Sequence, residues 1–201
     1  MTTNNDTTPI RVTSPECMLS YPHLFEPTKV NKDNAGEKAK YSGCFVFAPG
    51  TDLSQLHSAA IEAGERKWGG KFKSMLEAGE LRMPFRKDAV EKGYEEGSVF
   101  INARNESKPG LVMPHKDQAT GKPAVVTDPE IMYPGCRVRV SLVAFGYDTM
   151  GNKGVSFSLA NVQWLGDGDR LDSRVAAADD FDVVEGSEAP GEVAASVADL
   201  L

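Results

Sequence analysis

The 201-residue chain is short of several things that would mark common functions. It has three cysteines, Cys17, Cys44 and Cys136, an odd number without metal spacing. That pattern argues against a disulfide framework or a cysteine-zinc site and predicts reduced thiols. No run approaches the roughly 18 apolar residues of a membrane span. The N-terminus, MTTNNDTTP, lacks the charged-then-apolar layout of a secretory signal, so a soluble, cytosolic protein is expected. The three histidines, His23, His57 and His115, are too widely spaced to pair as metal ligands. Asp167-Gly168-Asp169-Arg170-Leu171-Asp172 faintly resembles a calcium loop but lacks the later glycine and the closing glutamate, and reads as a strand-ending turn. No glycine-rich phosphate loop, nucleophile elbow or paired-carboxylate pattern is present. A non-enzymatic protein is expected, with no catalytic residue, metal or cofactor.

A surplus of positive charge is also missing. The formal net charge is −7, which would argue against a polyanion ligand if the charge were evenly spread. Residues 175–201 hold seven acids (Asp179, Asp180, Asp182, Glu185, Glu188, Glu192 and Asp199) and no lysine or arginine. Residues 1–174 therefore balance 22 acids against all 22 basic residues. The chain divides into a neutral body and an acidic tail.

The body reads as mostly short strands. Residues 1–9 are polar and expected to be disordered. Ile10-Arg11-Val12 begins a strand that stops near Ser14-Pro15, and Tyr21 to Lys40, with Pro22 and Pro27, reads as a lysine-bearing loop. Tyr41 to Ala48 is apolar on both faces and bounded by Pro49-Gly50, the mark of a central strand. Thr51 or Asp52 is expected to cap a helix over about 52–68, with Leu53, Leu56, Ala60 and Ala63 on one stripe and Ile61 alongside, ended by Gly69-Gly70. Ser98 to Arg104 alternates again, and short edge strands are expected at 111–113 and 124–126.

The clearest pattern lies in Pro134 to Leu165, two strands joined by a turn at 148–152. Cys136, Val138, Val140, Leu142 and Ala144 alternate with Arg137, Arg139, Ser141, Val143, Phe145 and Tyr147, so two guanidiniums and two rings share the wet face. In the second strand the apolar phase slips by one residue near Ala160-Asn161, which predicts a β-bulge in a strongly curved sheet. Short strands, one principal helix and a phase slip point to a mainly β fold, a five-stranded OB-type barrel.

Cations beside aromatics suit a single nucleic-acid strand, because cations meet phosphates and rings stack on bases. On that basis Lys71, Lys73, Arg86, Lys87, Arg104, Arg137 and Arg139 are the expected phosphate contacts, and Phe100, Phe145 and Tyr147 the expected stacking residues. The acidic tail can compete for the same groove through residues such as Asp179, Asp180 and Asp182, while Leu200-Leu201 offers a partner an apolar tip.

Tyr41 to Phe47, Lys67-Trp68-Gly69, Ser98 to Ala103, Tyr133-Pro134-Gly135, Phe145 to Asp148 followed by Gly151 to Val155, Leu159 to Gln163 and Asp167-Gly168 carry a resemblance. In order and spacing, over about residues 10–174, they resemble the single-stranded DNA-binding proteins of tailed bacteriophages, OB-fold proteins with an acidic C-terminal tail. The resemblance implies sequence-independent binding that coats and protects single-stranded DNA in phage replication and recombination, in the cytoplasm of the host. It implies a disordered tail over 175–201 that modulates binding and recruits replication proteins such as a polymerase or helicase-primase. Tails of the family often end in an aromatic residue, whereas this one ends in Leu200-Leu201, which bears on the choice of partner. The sequence is compatible with a homodimer. The competing readings are a replisome or virion protein-interaction module that does not bind DNA and, further off, a metal-dependent nuclease.

Overall fold

A computed structural model describes residues 8–29, 36–149 and 151–171. The tail residues Asp179, Asp180, Asp182, Leu200 and Leu201 lie outside the described residues, as do residues 1–7 and the 30–35 stretch that carries Lys32. Eight strands and two helices follow in the order β1 Ile10–Thr13, β2 Cys17–Thr28, β3 Lys40–Phe47, α1 Ser54–Trp68, α2 Phe72–Glu77, β4 Val99–Asn105, β5 Gly110–Lys116, β6 Pro123–Val125, β7 Arg137–Thr149 and β8 Asn152–Gly166.

Five strands close on themselves. β2 pairs with β3, β3 with β4, β4 with β8 in parallel, β8 with β7, and β7 back to β2 through Cys17↔Val138 and Met18↔Arg137. This is the expected five-stranded OB-type ring. β1 adds to β7 alongside β2, while β5 pairs in parallel with β8 and carries β6 outward. Long alternating strands make closure possible, since each puts its apolar phase inside. All five even-numbered residues from Cys136 to Ala144 are buried, with Phe45, Phe47, Ile101, Phe157 and Leu159. A fully buried side chain of this size stabilises the fold by about 1.5–3 kcal/mol.

The phase slip falls where the sequence puts it. Ser141 pairs with Asn161 and Leu142 with Leu159, so Ala160 is the extra residue that bends β8 around the barrel. The helix begins at Ser54 rather than under a cap at Thr51 or Asp52. Asp52 instead accepts a hydrogen bond from the Ser54 amide at 2.9 Å, an Asx turn leading into the helix. Its inner face is Leu56, Ala59, Ala60, Ala63 and Gly64, while Ile61 turns outward at 43% exposure. Gly64 allows a close approach, because a Cβ there would lie 2.1 Å from the Phe72 ring. That contact folds α2 back on α1, so the helical turn continues past Gly69-Gly70.

One element departs from expectation. The stretch from Tyr21, read as loop, opens with the second half of β2, which runs through Pro22 and Pro27. Its pairing with β3 shifts between Ser20 and His23 and again between His23 and Thr28. The prolines sit in this interrupted ladder, where a missing amide donor is tolerated.

Candidate nucleic-acid interface

In chain order the ring strands are β2, β3, β4, β7 and β8. On a five-stranded OB barrel the outer face of the second and third strands, with the loop between the first two, receives oligonucleotides. Here that face is β3 and β4, flanked by β2.

Half of this face is covered. Segment 84–97 crosses it, with Arg86 and Phe100 exchanging backbone hydrogen bonds of 2.9 and 3.0 Å. Ala89 and Tyr94 pack on Cys44, Val46 and Phe100 beneath. The Tyr94 hydroxyl donates to Ser20 Oγ at 2.9 Å, and burial pushes its pKa up to about 12. Phe100 points outward as its alternation requires, but it lies under this cover at 4% exposure. Tyr94 is edge-on at 5.6 Å and the Arg86 guanidinium 5.9 Å from its ring centre. The expectation that Phe100 stacks on bases is corrected accordingly, since local alternation gives the side a residue faces and not what folds over it.

The other half is left uncovered by the described residues. A cleft of about 130 Å³ lies among Tyr21, His23, Glu37, Lys40, Ser42, Asn102 and Arg104. The β2 bulge aims Tyr21 outward, leaving it 69% exposed with φ +46°. A non-glycine residue in the left-handed region is uncommon, and such strain gathers at functional sites. The Arg104 guanidinium makes no hydrogen bond or ion pair with any described residue. Glu106 sits at the rim, 3.0 Å from Lys38 Nζ and 3.7 Å from Lys40 Nζ. The hydrogen bond from Lys38 and the charges of both lysines hold its carboxyl below the usual carboxylate range. Lys108 lies 6.0 Å from the Phe25 ring farther along β2.

The expected contact residues do not form one patch. Arg104 is in the open cleft, and Arg86 and Lys87 lie on the neighbouring cover, where Arg86 grips Asp88 at 2.9 and 3.1 Å. Lys71 and Lys73 are exposed at the end of the helical excursion, Lys73 within 4.0 Å of Glu77. Arg137 is tied to Glu16 at 3.1 Å and to the Asp167 carbonyl at 3.0 Å, and Arg139 donates to Gln163 Oε1. Phe145 is 42% exposed beside the α1 residues Ala63, Arg66 and Lys67. Tyr147 is half-buried across Gly154, where a Cβ would meet its hydroxyl at 2.9 Å. Sequence reasoning missed Tyr21, His23 and Asn102, and left Lys40 as one loop lysine among four. Tyr21 stood at the head of a proline-broken stretch read as loop, with no strand pattern to mark it.

This surface offers cations, hydroxyls, amides, a ring and, at Glu37, a carboxylate. Among the described residues no three His, Cys, Asp or Glu side chains converge as metal ligands. Residues 10–193 match the model of the family described as Enterobacter phage Enc34, ssDNA-binding protein. The chain belongs to this family. Its members are binding proteins rather than enzymes. A curated relative, putative protein p50 of Acyrthosiphon pisum secondary endosymbiont phage 1, is 34% identical over 176 residues, covering 82% of this chain and 88% of that protein. The fold is similar to the single-stranded DNA-binding protein from bacteriophage Enc34 in complex with ssDNA, with TM-score 0.59 and 18% identity over 81% of this chain and 89% of that one. It is also similar to gp2.5, a single-stranded DNA-binding protein encoded by bacteriophage T7, with TM-score 0.57 and 14% identity over 83% and 97%.

Proposed function

We propose that this chain binds single-stranded DNA without sequence preference and protects it during phage DNA replication and recombination. Family membership supports the ligand class. The observation that carries the location is the open half of the β2–β3–β4 face, with an exposed ring at Tyr21 beside cations at Lys40 and Arg104. Phosphates meet Lys40, Arg104, Arg86 and Lys87, a base stacks on Tyr21, and Asn102 and Ser42 line the floor. Phe145 and Tyr147, with Lys71, Lys73, Arg137 and Arg139, belong to surfaces beyond this face. Residues 10–174 form the DNA-binding domain.

The tail over 175–201 is read as a competing polyanion, with Asp179, Asp180 and Asp182 drawn to the same cations and Leu200-Leu201 available to a replication protein. Its place of action is the host cytoplasm.

A mobility shift with single-stranded DNA, duplex DNA and RNA tests the ligand. Retardation of the single strand is expected, with a log–log salt slope of about −0.7 per phosphate contacted. A flat salt response removes the electrostatic half of the reading. Truncation after Arg174 is expected to tighten binding, and unchanged or weaker affinity counts against competition by the tail. Gel filtration of the free protein addresses the homodimer.

A further inference from the structure

The site above uses one side of the ring. The opposite side is a wider sheet, because β1 extends β7 and the β5–β6 arm extends β8. Its outward pairs are Arg139↔Gln163, Ser141↔Asn161, Val143↔Ser158 and Phe145↔Ser156, with Arg11 opposite Val143 and Thr13 opposite Ser141. These five strands contain a single carboxylate, Asp148 at the hairpin tip, 3.8 Å from Lys153. Arg11 and Arg139 have no ion pair with any described residue. Arg139 is steadied by Gln163, whose amide donates to the Met113 carbonyl at 3.1 Å. Between Thr13 and Pro123 lies a groove of about 430 Å³ floored by Ser141, Asn161 and Gln163 with Arg139. In a chain of net charge −7, a five-stranded face with its one acid at the extreme tip is complementary to a polyanion.

The two sides are joined. His23, Ser42, Arg104, Ser158, Val143 and Arg11 are successive register partners across β2, β3, β4, β8, β7 and β1. At about 4.8 Å per strand, Arg104 and Arg11 stand about 14 Å apart along this row.

We propose that a single strand bound on the β2–β3–β4 face continues along this row to Arg11, which takes a phosphate, and on into the groove beside the row at Ser141 and Thr13, where Arg139 takes another and Asn161 and Gln163 present amides. The proposal rests on the reading of the β2–β3–β4 face given above. It extends the binding site from one face to a girdle around half the barrel.

The test compares Arg139→Gln, Arg11→Gln and Arg139→Lys with the parent on oligothymidylates of about 8 and about 25 nucleotides, the first within and the second beyond the roughly 4–16 nucleotides of an ordinary OB site. For the long strand each Gln variant is expected to weaken binding about fivefold at 0.1 M salt, the counterion-release value of one phosphate contact, and to flatten the log–log slope by about 0.7. The short strand is expected to bind all variants like the parent, and Arg139→Lys to keep the parental slope. Three results would overturn the proposal: no change at either length, an equal loss at both lengths, or two short strands per parent monomer with one lost in Arg139→Gln. A parent that binds neither length removes the underlying reading and this proposal with it. A parent that binds the short strand normally, with Gln variants indifferent to length, defeats the girdle alone.

Discussion

Tyr21 permits a separation of binding from stability. At 69% exposure its ring contributes little to the core, yet its backbone sits at φ +46°. For an L-residue the left-handed region costs about 1–2 kcal/mol. Asparagine tolerates that conformation, so Tyr21→Asn removes the ring while keeping the bulge and relieving part of the strain. Its melting behaviour is expected to match the parent within about 0.5 kcal/mol, or to improve slightly. Loss of one base stack costs about 1–3 kcal/mol of binding, or about 5- to 140-fold in Kd at 1.4 kcal/mol per decade. Because the stack carries no charge, the salt slope should be unchanged. Fluorescence anisotropy on a labelled oligothymidylate, repeated across a salt series, reads both quantities, and Tyr21→Phe should bind like the parent. If Tyr21→Asn binds with parental affinity, Tyr21 is not a stacking residue and the strained bulge needs another explanation.

Glu106→Gln is expected to tighten single-strand binding and steepen its salt slope, because Glu106 now engages Lys38 and Lys40 at 3.0 and 3.7 Å; unchanged titrations would show that those lysines do not meet DNA. Phe100→Ala is expected to destabilise the fold by about 3–5 kcal/mol, with near-parental DNA affinity in whatever remains folded, since the ring lies under Tyr94 and Arg86; a stable variant with weakened binding would restore the stacking role. Burial pushes the Cys17 and Cys136 thiols up to about 12 and raises Cys44, so the native protein should resist an aromatic disulfide reagent at pH 8 while the urea-unfolded chain releases three equivalents. Because these folded-state values lie above the ordinary value of 9.0, the native state holds more protons between there and about 12, and stability from this source should fall with rising pH in that window, as denaturant midpoints would record.

The ring was largely legible in the sequence because its strands are written in local alternation. β7 shows its buried and wet phases residue by residue, and the slip at Ala160 marks the bulge at its position. β4 is readable for the same reason, and β3 from a short apolar run closed by Pro49-Gly50. β2 was not, because its two shifts of register and two prolines break the pattern that identifies a strand. The share of β2 in the proposed binding face, Tyr21 and His23, was missed with it. Alternation assigned Phe100 and Arg104 to one outer face correctly, but whether that face is open depends on a segment folding back from residues 84–97. No local pattern announces that a connection will lie across a strand rather than extend into solvent.

The same distinction between composition and placement decides how a neutral body meets a polyanion. Many of its cations are neutralised locally: Arg66 by Glu62, Arg86 by Asp88, Lys38 and Lys40 by Glu106, and Arg137 by Glu16. Of the arginines on ring strands and β1, namely Arg11, Arg104, Arg137 and Arg139, only Arg137 has an acidic partner among the described residues. Unpaired guanidiniums keep their full attraction for phosphate, whereas an ion-paired cation must first exchange one anion for another. Arg104 and Arg11 share the lateral row that runs from the cleft around β8, and Arg139 lies in the groove beside that row. A count of charges therefore predicts weak affinity, while the unpaired ones lie along the path proposed for a strand. Converting Arg137, which is already paired, should cost less affinity than converting Arg104, although the two carry the same charge.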